Sequence, residues 1–114
     1  MEEMQKPTLE QLSKYYITFF GLENVEQLKT LYADTVSLID WNGQWDGKTN
    51  VLVENRRFFN ENTFIITLLE SDTCGRKTFN RTRLQIQGGD TLDIMYVFIF
   101  DSDDKIFEIK AYKC

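Results

Sequence analysis

The second half of this chain carries strand signal almost without a break, and that constrains its fold more than any other feature. Residues 63–71, 76–87, 91–100 and 106–112 are rich in Ile, Leu, Val, Phe, Tyr and Thr. Three short clusters of turn residues separate them, at 72–75, 88–90 and 101–104. Connections this short join neighbouring antiparallel strands, because a parallel crossover needs a dozen residues or more. A four-strand meander is therefore expected from residue 63 onward.

The first half reads differently. Pro7 precedes Thr8, a helix N-cap whose capping-box partner is Gln11. Leu9, Leu12, Tyr16, Phe19 and Phe20 follow at helical spacing, and Gly21 is the expected stop. Asn24 and Gln27 repeat the capping pattern ahead of Val25, Leu28, Leu31 and Tyr32, which predict a short second helix. Residues 35–40 form a brief strand-like run, Asn42-Gly43 a hairpin turn, and Gln44-Trp45 the return. A third helix is expected over 49–60, where Val51, Leu52, Val53, Phe58 and Phe59 flank a polar group. Helices first and strands last predict an α+β fold, with three N-terminal helices on one face of a curved, mostly antiparallel sheet. At 114 residues the chain is expected to form one domain spanning 1–114.

Composition removes several function classes. There is no histidine, so Ser-His-Asp and Cys-His nucleophile systems and histidine-based zinc or haem sites are excluded. Cys74 and Cys114 are too few to close a zinc site, and their spacing is no disulfide framework. Neither a metal nor a cofactor is expected. The charge of −5, without a basic stripe, argues against nucleic acid as a partner. The opening Met1-Glu2-Glu3-Met4-Gln5-Lys6 has no apolar core of a signal peptide, and no apolar run reaches membrane-spanning length. A cytoplasmic protein without membrane contact is expected. Asn80-Arg81-Thr82 matches a glycosylation sequon, which has no meaning without secretion.

Residues 91–100 are apolar at both parities, so both faces of that strand need cover. Helices supply one cover, and a second copy of the chain is the simplest supplier of the other. A homodimer through the sheet is therefore expected, against a monomer with a few exposed apolar residues. Arg81 and Arg83 share a strand face with Lys77 and Phe79. Outward placement is favoured, because buried unpaired charge is costly. Inward placement would let them hold an anion.

Two apparent motifs fail on inspection. The segment from Gly43 to Thr49 is one residue short of a phosphate-binding loop, and Asp46 puts negative charge where phosphate would sit. Asp101-Ser102-Asp103-Asp104 lacks the glycine and distal glutamate of a calcium loop. The pair that carries chemistry is Tyr16 with Asp40. A carboxylate in apolar surroundings becomes a competent base near neutral pH, and a phenol aimed at the same place can donate to a developing oxyanion. The plainer alternative is that Asp40 starts the Asn42-Gly43 turn and Tyr16 is an ordinary core residue.

The layout from Leu9 to Lys113 resembles the nuclear transport factor 2-like superfamily, which includes ketosteroid isomerase and the SnoaL-like polyketide cyclases. The local signs are Leu28-Lys29-Thr30-Leu31-Tyr32-Ala33-Asp34, then Val36-Ser37-Leu38-Ile39-Asp40, then Trp45-Asp46-Gly47-Lys48 leading into the third helix. The resemblance implies a cystatin-like cone, a strongly bent sheet wrapped around the first helix with an apolar pocket between them. It implies that Tyr16 is the oxyanion donor and Asp40 the general base of a proton transfer α to a carbonyl. A protonated acid in the penultimate strand is replaced by Tyr96, a departure from the steroid isomerase pattern. Asp93 lies three residues away, on the opposite face of a regular strand, and does not substitute for it. Many members of the superfamily bind ligands without catalysis, so a non-catalytic binding or protein-interaction module is the alternative. The expected pocket wall is Tyr16, Phe20, Trp41, Phe58, Phe59, Tyr96, Phe98 and Phe100, suited to a small apolar molecule.

Overall fold

The structure is a computed structural model and describes residues 6–114. The reading of Met1-Glu2-Glu3-Met4-Gln5 as no signal peptide lies outside the described residues. Helix α1 runs Leu9–Gly21 and α2 Val25–Leu31; strands β1 (Tyr32–Asp40) and β2 (Gly43–Asp46) precede helix α3 (Lys48–Glu61). Strands β3 (Phe64–Cys74), β4 (Lys77–Ile86), β5 (Thr91–Phe100) and β6 (Ile106–Lys113) complete the chain. The order of helices, hairpin and meander is the one the periodicity predicts.

Local chemistry sets the boundaries. Thr8 Oγ1 accepts from the Gln11 N–H at 3.1 Å, and Gln11 Oε1 accepts from the Thr8 N–H at 2.8 Å, a complete capping box. The other end of α1 differs from expectation. The helix includes Gly21, and the left-handed residue after it is Glu23 (φ 56°). Hydrogen bonds from Asn24 N–H to Phe19 O and from Glu23 N–H to Phe20 O close the Schellman turn. Gly21 serves packing instead, since a Cβ there would stand 3.2 Å from Ile66 Cγ2 of β3. Tyr32, expected in α2, is the first residue of β1. Its extended backbone pairs with Ile106, and its ring is wholly buried.

The six strands form one mixed sheet in the order β2-β1-β6-β5-β4-β3. Strands β3 to β6 are the antiparallel meander, and only the β1–β6 pair is parallel. Helix α3 carries the chain from β2 to β3 at the far edge, so the meander returns its last strand beside β1. Helix α1 packs on β3 and β4, and α3 packs on β1 and β2. The parity of β5 sends Ile94, Tyr96, Phe98 and Phe100 into this interior, where the Tyr16 ring lies 4.7 Å from that of Phe98. A buried polar seam ties α1 to the sheet. Ser13 Oγ and Thr78 Oγ1 are 2.7 Å apart, and Asn80 Nδ2 donates to Thr78 Oγ1 and to the Tyr96 carbonyl. Asn80 Oδ1 accepts from Ser71 Oγ at 2.7 Å. Asn80 and Thr82, the sequon residues, are both fully buried.

On the outer face, Arg81 pairs with Glu70 and Arg83 with Asp93, all four partly or largely exposed. The outward placement of the arginines is therefore the observed one. Arg83 holds the Asp93 carboxylate below its usual range.

Phe98→Ala removes a fully buried ring and should cost about 3–5 kcal/mol. Asn80→Ala removes the partner of the Ser71 hydroxyl and one hydrogen bond each to Thr78 Oγ1 and the Tyr96 carbonyl, and should cost about 1–3 kcal/mol. Urea denaturation followed by circular dichroism checks both, and native-like stability for either variant contradicts the described core.

Candidate functional site

At the mouth of the cone, between α3 and the bent sheet, lies a cavity of about 80 Å³. Its wall includes Tyr16, Phe20, Asp40, Trp41, Phe58 and Tyr96. The aromatic wall is thus part of the one expected. Phe98 and Phe100 share the parity of Tyr96 yet do not reach the cavity; they fill the core beneath it. Phe59 packs edge-on against Phe20, at 4.9 Å between centroids, and also lies off the wall. Facing inward is a property of strand parity, whereas lining a cavity depends on which side chains leave a gap.

Helix α3 brings in the residues that sequence reasoning missed. Glu54 and Asn55 are buried in the wall, and Arg57 stands beside them. The Arg57 guanidinium grips Glu54 through Nε and Nη2, while its Nη1 holds Glu61. Their signal lay in the polar group between the apolar residues of the third helix. Glu54 and Asn55 fall on the buried side of that helix with Val51 and Leu52, a buried polar pair of the kind that marks a site.

Tyr32 is the second omission. Its hydroxyl donates to Asn55 Oδ1 at 2.7 Å, and its ring lies 6.4 Å from that of Tyr16, which lines the cavity. Among the described residues no sealed side-chain oxygen or nitrogen lacks a partner. The Tyr96 hydroxyl, engaged by no protein group, is therefore open to the cavity. Burial is the main cause that pushes the Tyr16, Tyr32 and Tyr96 phenols above their usual range; for Tyr16 the neighbouring phenols add to it, for Tyr32 the Asn55 partner opposes it in part, and for Tyr96 the Asp40 carboxylate adds to it. All three are neutral donors throughout the physiological range.

Asp40 is half-exposed at the rim, not sealed among apolar groups, and its Oδ1 accepts from the Asn42 N–H at 2.7 Å. It both starts the hairpin turn and lines the cavity, so the two readings of this residue coexist; the loop residues are Trp41 and Asn42, one residue earlier than expected, because Asp40 pairs with Gly43 and draws that glycine into β2. Its second oxygen carries whatever interaction it makes with a bound molecule. Trp41 stands beside it, half-exposed, with the Lys113 ammonium 4.7 Å from its ring centroid. Among the described residues no group of His, Cys, Asp and Glu has the arrangement of a metal site.

A phenol whose pKa is raised on folding keeps its proton in the native state at pH values where the unfolded chain has lost it. Stability is therefore fully present below about pH 10 and falls as pH rises beyond it. At about pH 11, Tyr96→Phe should absorb at 295 nm as the parent does, because Tyr96 is not ionised in the native parent and contributes no phenolate there. A smaller absorbance in the variant would show that this phenol titrates in the native state.

No protein-family description and no curated protein matches the sequence. Solved structures do match the fold. A nuclear transport factor 2-like protein of unknown function from Cytophaga hutchinsonii superposes with TM-score 0.85 at 12% identity, covering 98% of this chain and 95% of its own. A SnoaL-like protein of unknown function from Burkholderia thailandensis gives 0.80 at 16% identity and 99% of both chains. A protein with a ketosteroid isomerase-like fold from Catenulispora acidiphila, solved in complex with trimethylamine, gives 0.80 at 14% identity, covering 92% of this chain and 86% of its own. The chain has the nuclear transport factor 2-like, cystatin-like cone fold that these SnoaL-like and ketosteroid isomerase-like proteins share.

Proposed function

We propose that this chain, a single domain over 1–114, binds a small molecule at the mouth of its cone and moves a proton at the carbon next to a carbonyl. Asp40 would take the proton through its free carboxylate oxygen. Tyr96 and Tyr16 would donate hydrogen bonds to the enolate oxygen. The observation that carries this reading is the convergence of one carboxylate and two neutral phenols on a single reachable cavity.

Size limits the substrate. A cavity of about 80 Å³ is smaller than the ~150 Å³ cavity that holds benzene. A whole polycyclic ketone does not fit, while a group of four or five heavy atoms does. The trimethylamine held by the Catenulispora protein is of that size. Exchange of α-protons of a small ketone in D2O, followed by NMR, tests the chemistry. Asp40→Asn should slow exchange about 10²–10⁴-fold, and Tyr96→Phe, which removes one donor to the enolate oxygen, should slow it as well. Equal rates for Asp40→Asn and the parent would leave a non-catalytic binding module, the reading favoured by the turn hydrogen bond on Asp40.

The outer sheet face supports the second part of the proposal, a homodimer. Phe79 pairs with Val97 and Met95 with Tyr112, and Ile99 extends the same stripe. Charged residues Arg81, Arg83, Asp93, Glu108 and Lys110 border it, the pattern of an apolar patch with a polar rim. Val97→Glu should shift the sedimentation of the chain from dimer to monomer. Sedimentation of the parent as a monomer at micromolar concentration would remove the dimer.

A further inference from the structure

The charges and rings around the cavity say more about its occupant than its shape does. Three charged side chains reach the wall: Asp40, Glu54 and Arg57. The Arg57 guanidinium is already spent, since every one of its nitrogens is bonded to Glu54 or to Glu61. Two carboxylates of this network thus answer one cation, and Asp40 has no basic partner in the described residues. Lys110 falls on the opposite face of β6 from the cavity residue Ala111, by strand alternation. Lys113 shares the parity of Ala111 and stands at the rim. With it, Asp40, Glu54, Arg57 and Lys113 balance, and the excess of one negative charge is that of Glu61, which holds Arg57 from outside the wall. The phenols add none, because they are neutral.

The rest of the wall is aromatic. Tyr16, Phe20, Trp41, Phe58 and Tyr96 present ring faces and edges to a space of about 80 Å³. Ring faces attract a compact cation, and the attraction grows when water is excluded. The chain itself makes the point, for its Lys113 ammonium sits over Trp41 at 4.7 Å. An anion would meet Asp40 and Glu54 with no free guanidinium to compensate. A neutral molecule would fill the space and gain nothing from the carboxylates.

We infer that the cavity selects a compact organic ammonium ion, a substrate or ligand whose cationic head is caged by Trp41, Phe58 and Tyr96 beside the Asp40 carboxylate. Lys113 is then a competitor at the rim, tethered to the same ring. The inference rests on the reading of the mouth of the cone as a ligand site, and not on the proton transfer proposed there.

Titration of the full chain with tetramethylammonium, with tert-butanol as the neutral isostere and with pivalate as the anion, tests it by following the Trp41 indole signal in ¹H–¹⁵N NMR. Tetramethylammonium should saturate the signal on the order of 1 mM or below, and tert-butanol should bind about tenfold more weakly or worse. The signs of two charge variants decide the matter. Asp40→Asn, which keeps an oxygen for the Asn42 turn, should weaken tetramethylammonium about tenfold, and Lys113→Gln should strengthen it severalfold. Neither should move tert-butanol. Equal or tighter binding of tert-butanol or pivalate, or opposite signs for the two variants, would overturn the inference while leaving the cavity a ligand site. Saturation by none of the three probes would overturn both. Absence of α-proton exchange alongside selective ammonium binding would remove only the proposed catalysis.

Discussion

A helix laid in the concave face of a bent sheet must bury its apolar stripe without abandoning the polar groups on it, and Tyr16 is where α1 meets that demand. Its ring packs against Phe98 and Phe20 and beside Tyr32, whose hydroxyl donates to Asn55. One side chain therefore joins α1 to β1 and β5. One turn earlier, Ser13 Oγ is hydrogen-bonded to Thr78 Oγ1. The helix cannot slide along the sheet without breaking a hydrogen bond in a place where water does not replace it.

The cavity follows from this seating. Phe20, Phe58, Phe59 and Phe64 interlock at 4.9–6.4 Å between centroids and close one side of the cone. The space left at the mouth is small because those rings, with Phe98 and Phe100 beneath, occupy most of the interior. Size and charge together narrow the chemistry. The wall admits a compact group, its phenols stay protonated, and its one unspent ionic partner is a carboxylate. These features are the ones on which the proposed small-molecule site rests.

The structure also explains why some expectations failed. Glycine after a helix suggested a left-handed stop at Gly21, yet Glu23 takes that conformation and Gly21 is kept small by Ile66. Tyr32 continued the helical spacing of α2, but pairing with β6 pulled its backbone into a strand. In both cases a contact from a distant segment outweighed a local preference worth about 1 kcal/mol or less. The pocket wall was over-assigned to aromatics for a similar reason. Parity along β5 correctly sent Tyr96, Phe98 and Phe100 inward, and no local rule distinguishes a ring that fills the core from one that borders a gap.

What the sequence determined by itself was what short-range physics controls: the capping box at Thr8, the existence of a hairpin near Asn42, the alternation that put Arg81 and Arg83 on one strand face, and the absence of histidine chemistry. Each depends on neighbours within a few residues or on composition alone. Only the tertiary structure decided the parallel β1–β6 pairing, the hydrogen bond from Tyr32 to Asn55, and the ion pairs that consume Arg57 beside the unspent carboxylate of Asp40. Those features join segments 15 to 70 or more residues apart, or depend on which face of α3 is buried. They are fixed by close packing around a shared core, where a polar group must find its partner wherever the fold has placed it.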